Sequence, residues 1–127
     1  MKRFQDLIVW QKAHELVLDI YRITENFPVD ERAALSSQMR RTAMLIPATI
    51  VEGYSSGKIQ DFITAMMAAE SSLTRLHYYI ELSRELGYLF HEQMAVLLEN
   101  MDGVGQLLRG ARIHVNKEPD HEYASDR

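Results

Sequence analysis

The apolar positions of this chain fall into four long series at helical spacing. The first is Val9, Ala13, Leu16, Ile20, Ile23 and Phe27, stepping by four and three in alternation, so its members line one stripe of a helix. Asp6 stands where an N-cap belongs, and Pro28 pushes Phe27 out of the helical region, which predicts a stop there. Asp30 is placed to cap a second helix starting near Glu31 and running towards Glu52, with Leu35, Met39, Ala43, Ile46 and Ile50 as its inner series. Pro47 lies inside that helix and removes one backbone hydrogen bond, so a kink is expected. Gly53 and the Tyr-Ser-Ser-Gly after it read as exit and connection, with Ser55 or Ser56 capping the next helix.

The third series is the longest: Ile59, Phe62, Met66, Ala69, Leu73, Leu76, Ile80 and Ser83. Ala65, Ala68 and Ser72 add a row of small residues suited to the close approach of another helix, and Gly87 is expected to end the run. The fourth series is Phe90, Met94, Leu97, Met101, Val104, Leu108 and Ala111. Gly103, Gly105 and Gly110 each cost it about 1 kcal/mol of intrinsic helicity, so packing must hold it. From Ile113 the chain is polar and contains Pro119, which predicts a loose tail over 113–127 behind a bundle over 1–112. Short connections make successive helices antiparallel. The pattern therefore predicts an all-α, up-down-up-down four-helix bundle with a kinked second helix and a loose C-terminal tail.

One core does not use every apolar residue. Leu7, Ile8, Trp10, Leu18, Tyr21, Ile63, Met67, Tyr78, Tyr79, Leu82 and Leu86 lie beside the main stripes. A second buried face, and hence a homo-oligomer, would account for them, with Trp10, Tyr78 and Tyr79 as candidate interface aromatics. A thick monomeric core with scattered exposed aromatics is the alternative.

Length and charge narrow the partners. The 127 residues suit one domain, and no apolar run approaches the length of a membrane span. The absence of cysteine excludes disulfides, thiolate metal sites and cysteine nucleophiles. The start MKRFQDLIVWQK lacks a signal-peptide core, so a cytoplasmic setting is expected. Net charge is -4; residues 1–63 hold eight basic and eight acidic side chains, residues 64–127 six and ten. Nucleic-acid-binding domains are generally basic, so the balance disfavours such a partner. Any phosphate contact would need a local patch, for which Arg40, Arg41 and Lys58 are the candidates.

Four-helix bundles often carry two metal ions on paired Glu-x-x-His motifs. Here the one such spacing, Glu118 to His121, includes Pro119 in the tail. His77 and Glu81 make half a site, while His14, His91 and His114 have no partner at ligand spacing. Ser71 and Ser72 sit mid-helix without a nucleophile elbow, and the Gly-Tyr-Ser-Ser-Gly-Lys loop does not match a phosphate-binding loop. No catalytic, metal or cofactor constellation emerges, and the expectation is a protein that is not an enzyme. The remaining polar set is Gln38, Arg41 and Glu52 on the second helix, read as a buried structural network pairing with other helices or another subunit.

The chain resembles the small bacterial four-helix-bundle proteins encoded in intervening sequences of 23S rRNA genes. The landmarks are Leu7-x-Val9-Trp10-x-x-Ala13, Phe27-Pro28-x-x-Glu31, Gln38-x-x-Arg41, Ile46-Pro47 with Ile50, and Glu52-Gly53. Phe62, Ala69-x-Ser71-Ser72-Leu73 and Leu86-Gly87-Tyr88-Leu89 continue it, so roughly residues 4–110 are covered. Departures are Leu45, Thr49 and Val51 at the family's usual Ser, Asn and Ala positions, with Glu70 and Arg75 at a usual glycine and a usual acid. Arg75 is thereby placed to answer Glu52 or Glu70. The resemblance implies a homopentameric ring. It is similar in fold to the accessory protein of diversity-generating retroelements, which is pentameric but strongly basic and binds nucleic acid. Two functions are expected from this reading: an oligomeric scaffold or interaction protein, or alternatively a nucleic-acid-binding accessory factor acting on RNA or DNA.

Overall fold

The computed structural model describes residues 2–117. Helix α1 spans Ile8–Thr24, α2 Leu35–Ser55, α3 Ile59–Glu85 and α4 His91–Lys117. Single 3-10 turns precede α1 (Phe4–Asp6) and α2 (Val29–Glu31). Helices α1 and α3 both pack against α2 and α4, which closes an antiparallel four-helix bundle; the α2–α3 interface is the most extensive and α1–α4 the thinnest. Leu16, Ile20, Met39, Ile46, Ile50, Met66, Leu76, Ile80, Leu97 and Leu108 form its fully buried axis. Among the described residues no helix is long and apolar enough to cross a membrane.

Helix ends depart from the caps expected of the sequence. Asp6 belongs to the first 3-10 turn, and Leu7 takes the N-cap position of α1 without a side-chain bond. That turn is held instead by Gln11 Nε2, which donates to Gln5 O at 2.8 Å. Helix α2 begins at Leu35, not near Glu31, because the chain makes a 3-10 turn first. Its cap is not Asp30: Glu31 Oε1 accepts from the Leu35 N–H at 3.3 Å while Oε2 accepts from the Tyr88 hydroxyl at 2.7 Å. One carboxylate thus joins the α1–α2 and α3–α4 connections, with the Phe27 and Tyr88 rings 5.2 Å apart beside it. The shared hydrogen bond raises the Tyr88 hydroxyl above the ordinary tyrosine pKa of 10.0, with desolvation and the charges of Glu31 and Asp30 adding to the shift.

Helix α2 is unbroken through the buried Pro47 and runs past Glu52-Gly53 to Ser55. Gly53 lies inside it for a steric reason. An added Cβ would stand 2.3 Å from Ala65 Cβ and 3.3 Å from Asp61 O, so α2 and α3 touch backbone to backbone here. Ser56 does not cap the free amides of α3. Its hydroxyl donates to Gly53 O and accepts from Lys58 N–H, both at 3.1 Å, which closes the connecting turn.

Gly87 does end α3, through its φ of 83°. The Tyr88 N–H reaches Ser83 O at 2.9 Å and the Gly87 N–H reaches Arg84 O at 3.0 Å, the paired bonds of a Schellman motif. Phe90, expected in the core, is 72% exposed at the entry to α4, and Leu89 is buried in its place. The Phe90 N–H donates to Gln93 Oε1 at 2.8 Å, half of a capping box. Helix α4 continues to Lys117, past the boundary expected at 112, and Val115 is buried. The rest of the expected tail, with Glu118 and His121, lies outside the described residues.

Candidate functional site

The densest polar arrangement sits where α1 ends and α2 begins. Thr24 closes α1 by donating its hydroxyl to Ile20 O at 2.7 Å. The Thr24 oxygen then accepts from Arg40 Nε at 2.8 Å, and an Arg40 terminal nitrogen donates to Tyr21 O at 3.2 Å. The guanidinium also lies 4.5 Å above the Tyr21 ring. A cation from α2 therefore satisfies the C-terminal carbonyl end of α1, where the helix dipole is negative.

Around this anchor opens a cleft of about 450 Å³, lined by Tyr21, Thr24, Glu25, Phe27, Arg32, Ser36, Ser37, Arg40, Arg41 and Met44. It holds three arginines against one glutamate in a chain whose net charge is -4. Ser36 is 4% exposed, and its Oγ is buried without a hydrogen-bond partner among the described residues. The N-terminal turn of α2 contributes Ser36 and Ser37 to one wall.

The sequence-predicted polar set is distributed differently. Gln38, Arg41 and Glu52 are all exposed, and among the described residues none makes a side-chain hydrogen bond or ion pair. They are not a buried network within one chain, because their spacing places them on the outer stripe of α2, opposite the core series. That stripe reads Gln38, Arg41, Leu45, Ala48, Glu52 and Ser55, with Leu45 44% exposed at its centre. Beside it, the Tyr21 hydroxyl contacts Met44 Sδ at 3.5 Å, and Leu18 stands one turn from Tyr21 along the same α1–α2 seam.

Arg40 and Arg41 share the cleft, but Lys58 does not join them. Fourteen helical steps carry α2 from Arg41 to its end at Ser55, about 21 Å, and Lys58 lies beyond the turn that follows, so the three do not form one basic patch. Trp10 is half-buried, stacked on His14 at 4.8 Å and edge-on to Phe4 at 5.2 Å. Tyr79 packs against the core, whereas Tyr78 is 61% exposed. Glu70 is answered by Arg112 of α4 through two hydrogen bonds, not by Arg75, and that bond raises the Arg112 guanidinium's affinity for its proton. His77 and Glu81 meet at 3.2 Å on the surface of α3. Among the described residues no three metal-ligating side chains converge.

The sequence pointed to the Arg-Arg pair but not to Arg32, Ser36 or Thr24. Those residues join the site only because α1 and α2 fold back on each other at the intervening turn.

Fold and surface together define an antiparallel four-helix bundle whose polar groups concentrate on α2 and its junction with α1. The chain belongs to the 23S rRNA-intervening sequence protein family, with the match running over residues 5–110. It is also similar to the crystal structure of a protein with unknown function from the S23 ribosomal protein family of Bacteroides thetaiotaomicron VPI-5482. The two share 23% identity at a TM-score of 0.73, over 83% of this chain and 98% of the other. At that identity the likeness shows the common bundle. No curated protein matches the chain.

Proposed function

We propose that this protein is a non-enzymatic, self-associating scaffold of the cytoplasm, a homopentamer as its family resemblance implies, which offers its assembled surface to a protein partner. The observation that carries the reading is the outer face of α1 and α2. Leu18, Tyr21, Met44 and Leu45 are exposed along one seam. Arg41 and Glu52 flank Leu45 on the same helix without partners among the described residues. An exposed apolar centre with a cation towards one end and an anion towards the other suits contact with a complementary face of the next copy, the heterologous contact that closes a ring.

Sedimentation equilibrium tests this. The wild-type chain should behave as one species of about five times the chain mass, as a closed ring requires. Leu45→Glu should stay folded, since its side chain lies outside the core, and should sediment as a monomer. A wild-type monomer, or a Leu45→Glu assembly of unchanged mass, would remove the proposed surface.

A further inference from the structure

We propose that the cleft between the end of α1 and the start of α2 binds a small phosphomonoester. Three guanidinium groups, from Arg32, Arg40 and Arg41, line it against the single carboxylate of Glu25. Arg40 is already immobilised by Thr24, Tyr21 O and the Tyr21 ring, so little rotamer freedom remains to be lost when an anion arrives. Arg32 and Arg41 are exposed and make no ion pair among the described residues, which leaves their forked donors open for bidentate contact with phosphate oxygens.

The second observation is Ser36. A buried hydroxyl normally finds a partner, and leaving one unpaired costs about 1–3 kcal/mol. Ser36 Oγ has none among the described residues and sits in the wall of this cleft. Ligand binding would turn this hydroxyl about its Cα–Cβ bond towards a bound oxygen. Its neighbour Ser37 also lines the cleft, and of the first-turn amides of α2 those of Ser36 and Ser37 have no backbone acceptor among the described residues, whereas Leu35 N–H is taken by Glu31 and Gln38 N–H by Ala34 O. Hydroxyl, amide dipole and guanidinium together make a site for a doubly charged oxyanion.

The rest of the cleft sets the ligand class. Its volume exceeds what a bare phosphate fills and lies within the range of small-molecule pockets. Tyr21 and Met44 give one side an apolar lining for a compact organic body. A long polyanion is disfavoured, because this basic spot is confined and the chain as a whole carries net charge -4.

Titration calorimetry on the full chain provides the test, with inorganic phosphate, phenyl phosphate and a single-stranded RNA oligonucleotide as probes. Phenyl phosphate should bind at millimolar concentration or below and more tightly than inorganic phosphate. Arg32→Gln should weaken it about tenfold or more, the loss expected of one charge-assisted hydrogen bond. Ser36→Ala should weaken it several-fold while leaving the melting temperature of the unliganded chain unchanged or higher, a combination that a merely structural serine would not give. No heat at millimolar ligand, or binding that neither variant weakens, overturns the proposal. RNA binding tighter than phenyl phosphate and lost in Arg32→Gln overturns it in favour of a phosphodiester backbone. The cleft shares Tyr21, Met44 and Arg41 with the seam proposed for self-association, so Leu45→Glu, which should release the single chain, should bind phenyl phosphate at least as tightly as wild type.

Discussion

Replacing Gly53 by alanine tests the closest approach in the bundle. The new methyl would stand 2.3 Å from Ala65 Cβ, 3.3 Å from Asp61 O and 3.5 Å from Phe62 Cα. Carbon atoms rest at about 3.5–4.0 Å, so α2 and α3 would have to part by more than an ångström at this crossing. None of the three opposing atoms lies at the end of a flexible side chain, so no rotamer change relieves the clash. Overpacking of this kind costs about 1–3 kcal/mol, while exchanging glycine for alanine within a helix returns about 1 kcal/mol. A clash this deep belongs at the upper end of that range, so the net expectation is a loss of about 2 kcal/mol, or about 8 °C in melting temperature for a domain of this size. Gly103→Ala supplies the control, because nothing lies within 4 Å of its Cβ and the same helical gain should appear alone, as up to about 1 kcal/mol of added stability. Urea and thermal denaturation followed by circular dichroism measure both variants. A Gly53→Ala chain as stable as wild type, alongside a stabilised Gly103→Ala chain, would refute the tight crossing.

Other perturbations probe the helix junctions. Arg40→Ala removes the cation that closes α1, and a loss of about 1–2 kcal/mol in urea denaturation is expected; an unmoved midpoint would mean that Arg40 only decorates the surface. Tyr88 bears on pH dependence. Its folded-state pKa is raised, so the neutral hydroxyl contributes stability below the ordinary value of 10.0 and loses it as pH climbs through the raised value. Tyr88→Phe should therefore lose stability less steeply than wild type as pH rises above 10.0, and parallel alkaline limbs would argue against the Glu31 bond.

Much of the fold was legible because helical periodicity is a local property. The inner series of α2, from Leu35 to Ile50, is buried at every position, and Gly87 announced the end of α3 through the backbone conformation it permits. Helix starts were less legible. Leu7, Ala34 and Lys58 occupy N-cap positions with no side-chain cap bond, and α2 is served by a glutamate that is also bound to Tyr88, 57 residues away. Phe90 misled for the opposite reason: its spacing fits the α4 series, but it falls one residue before the helix begins. The candidate site was legible only as an Arg-Arg pair. Phase then separates the two: Arg40, adjacent to the buried Met39, reaches the end of α1, while Arg41 points to the outer stripe and remains unpaired among the described residues.

The flat stacking of Trp10 on His14, at 4.8 Å and 7° between planes, also gives the chain an optical property. With one tryptophan in the sequence, all indole emission comes from this position. Phe4 lies edge-on to the same ring, so detachment of the N-terminal turn would shift the emission. One end of the bundle can thus be followed by light, without a label, while the cleft at its other end is titrated.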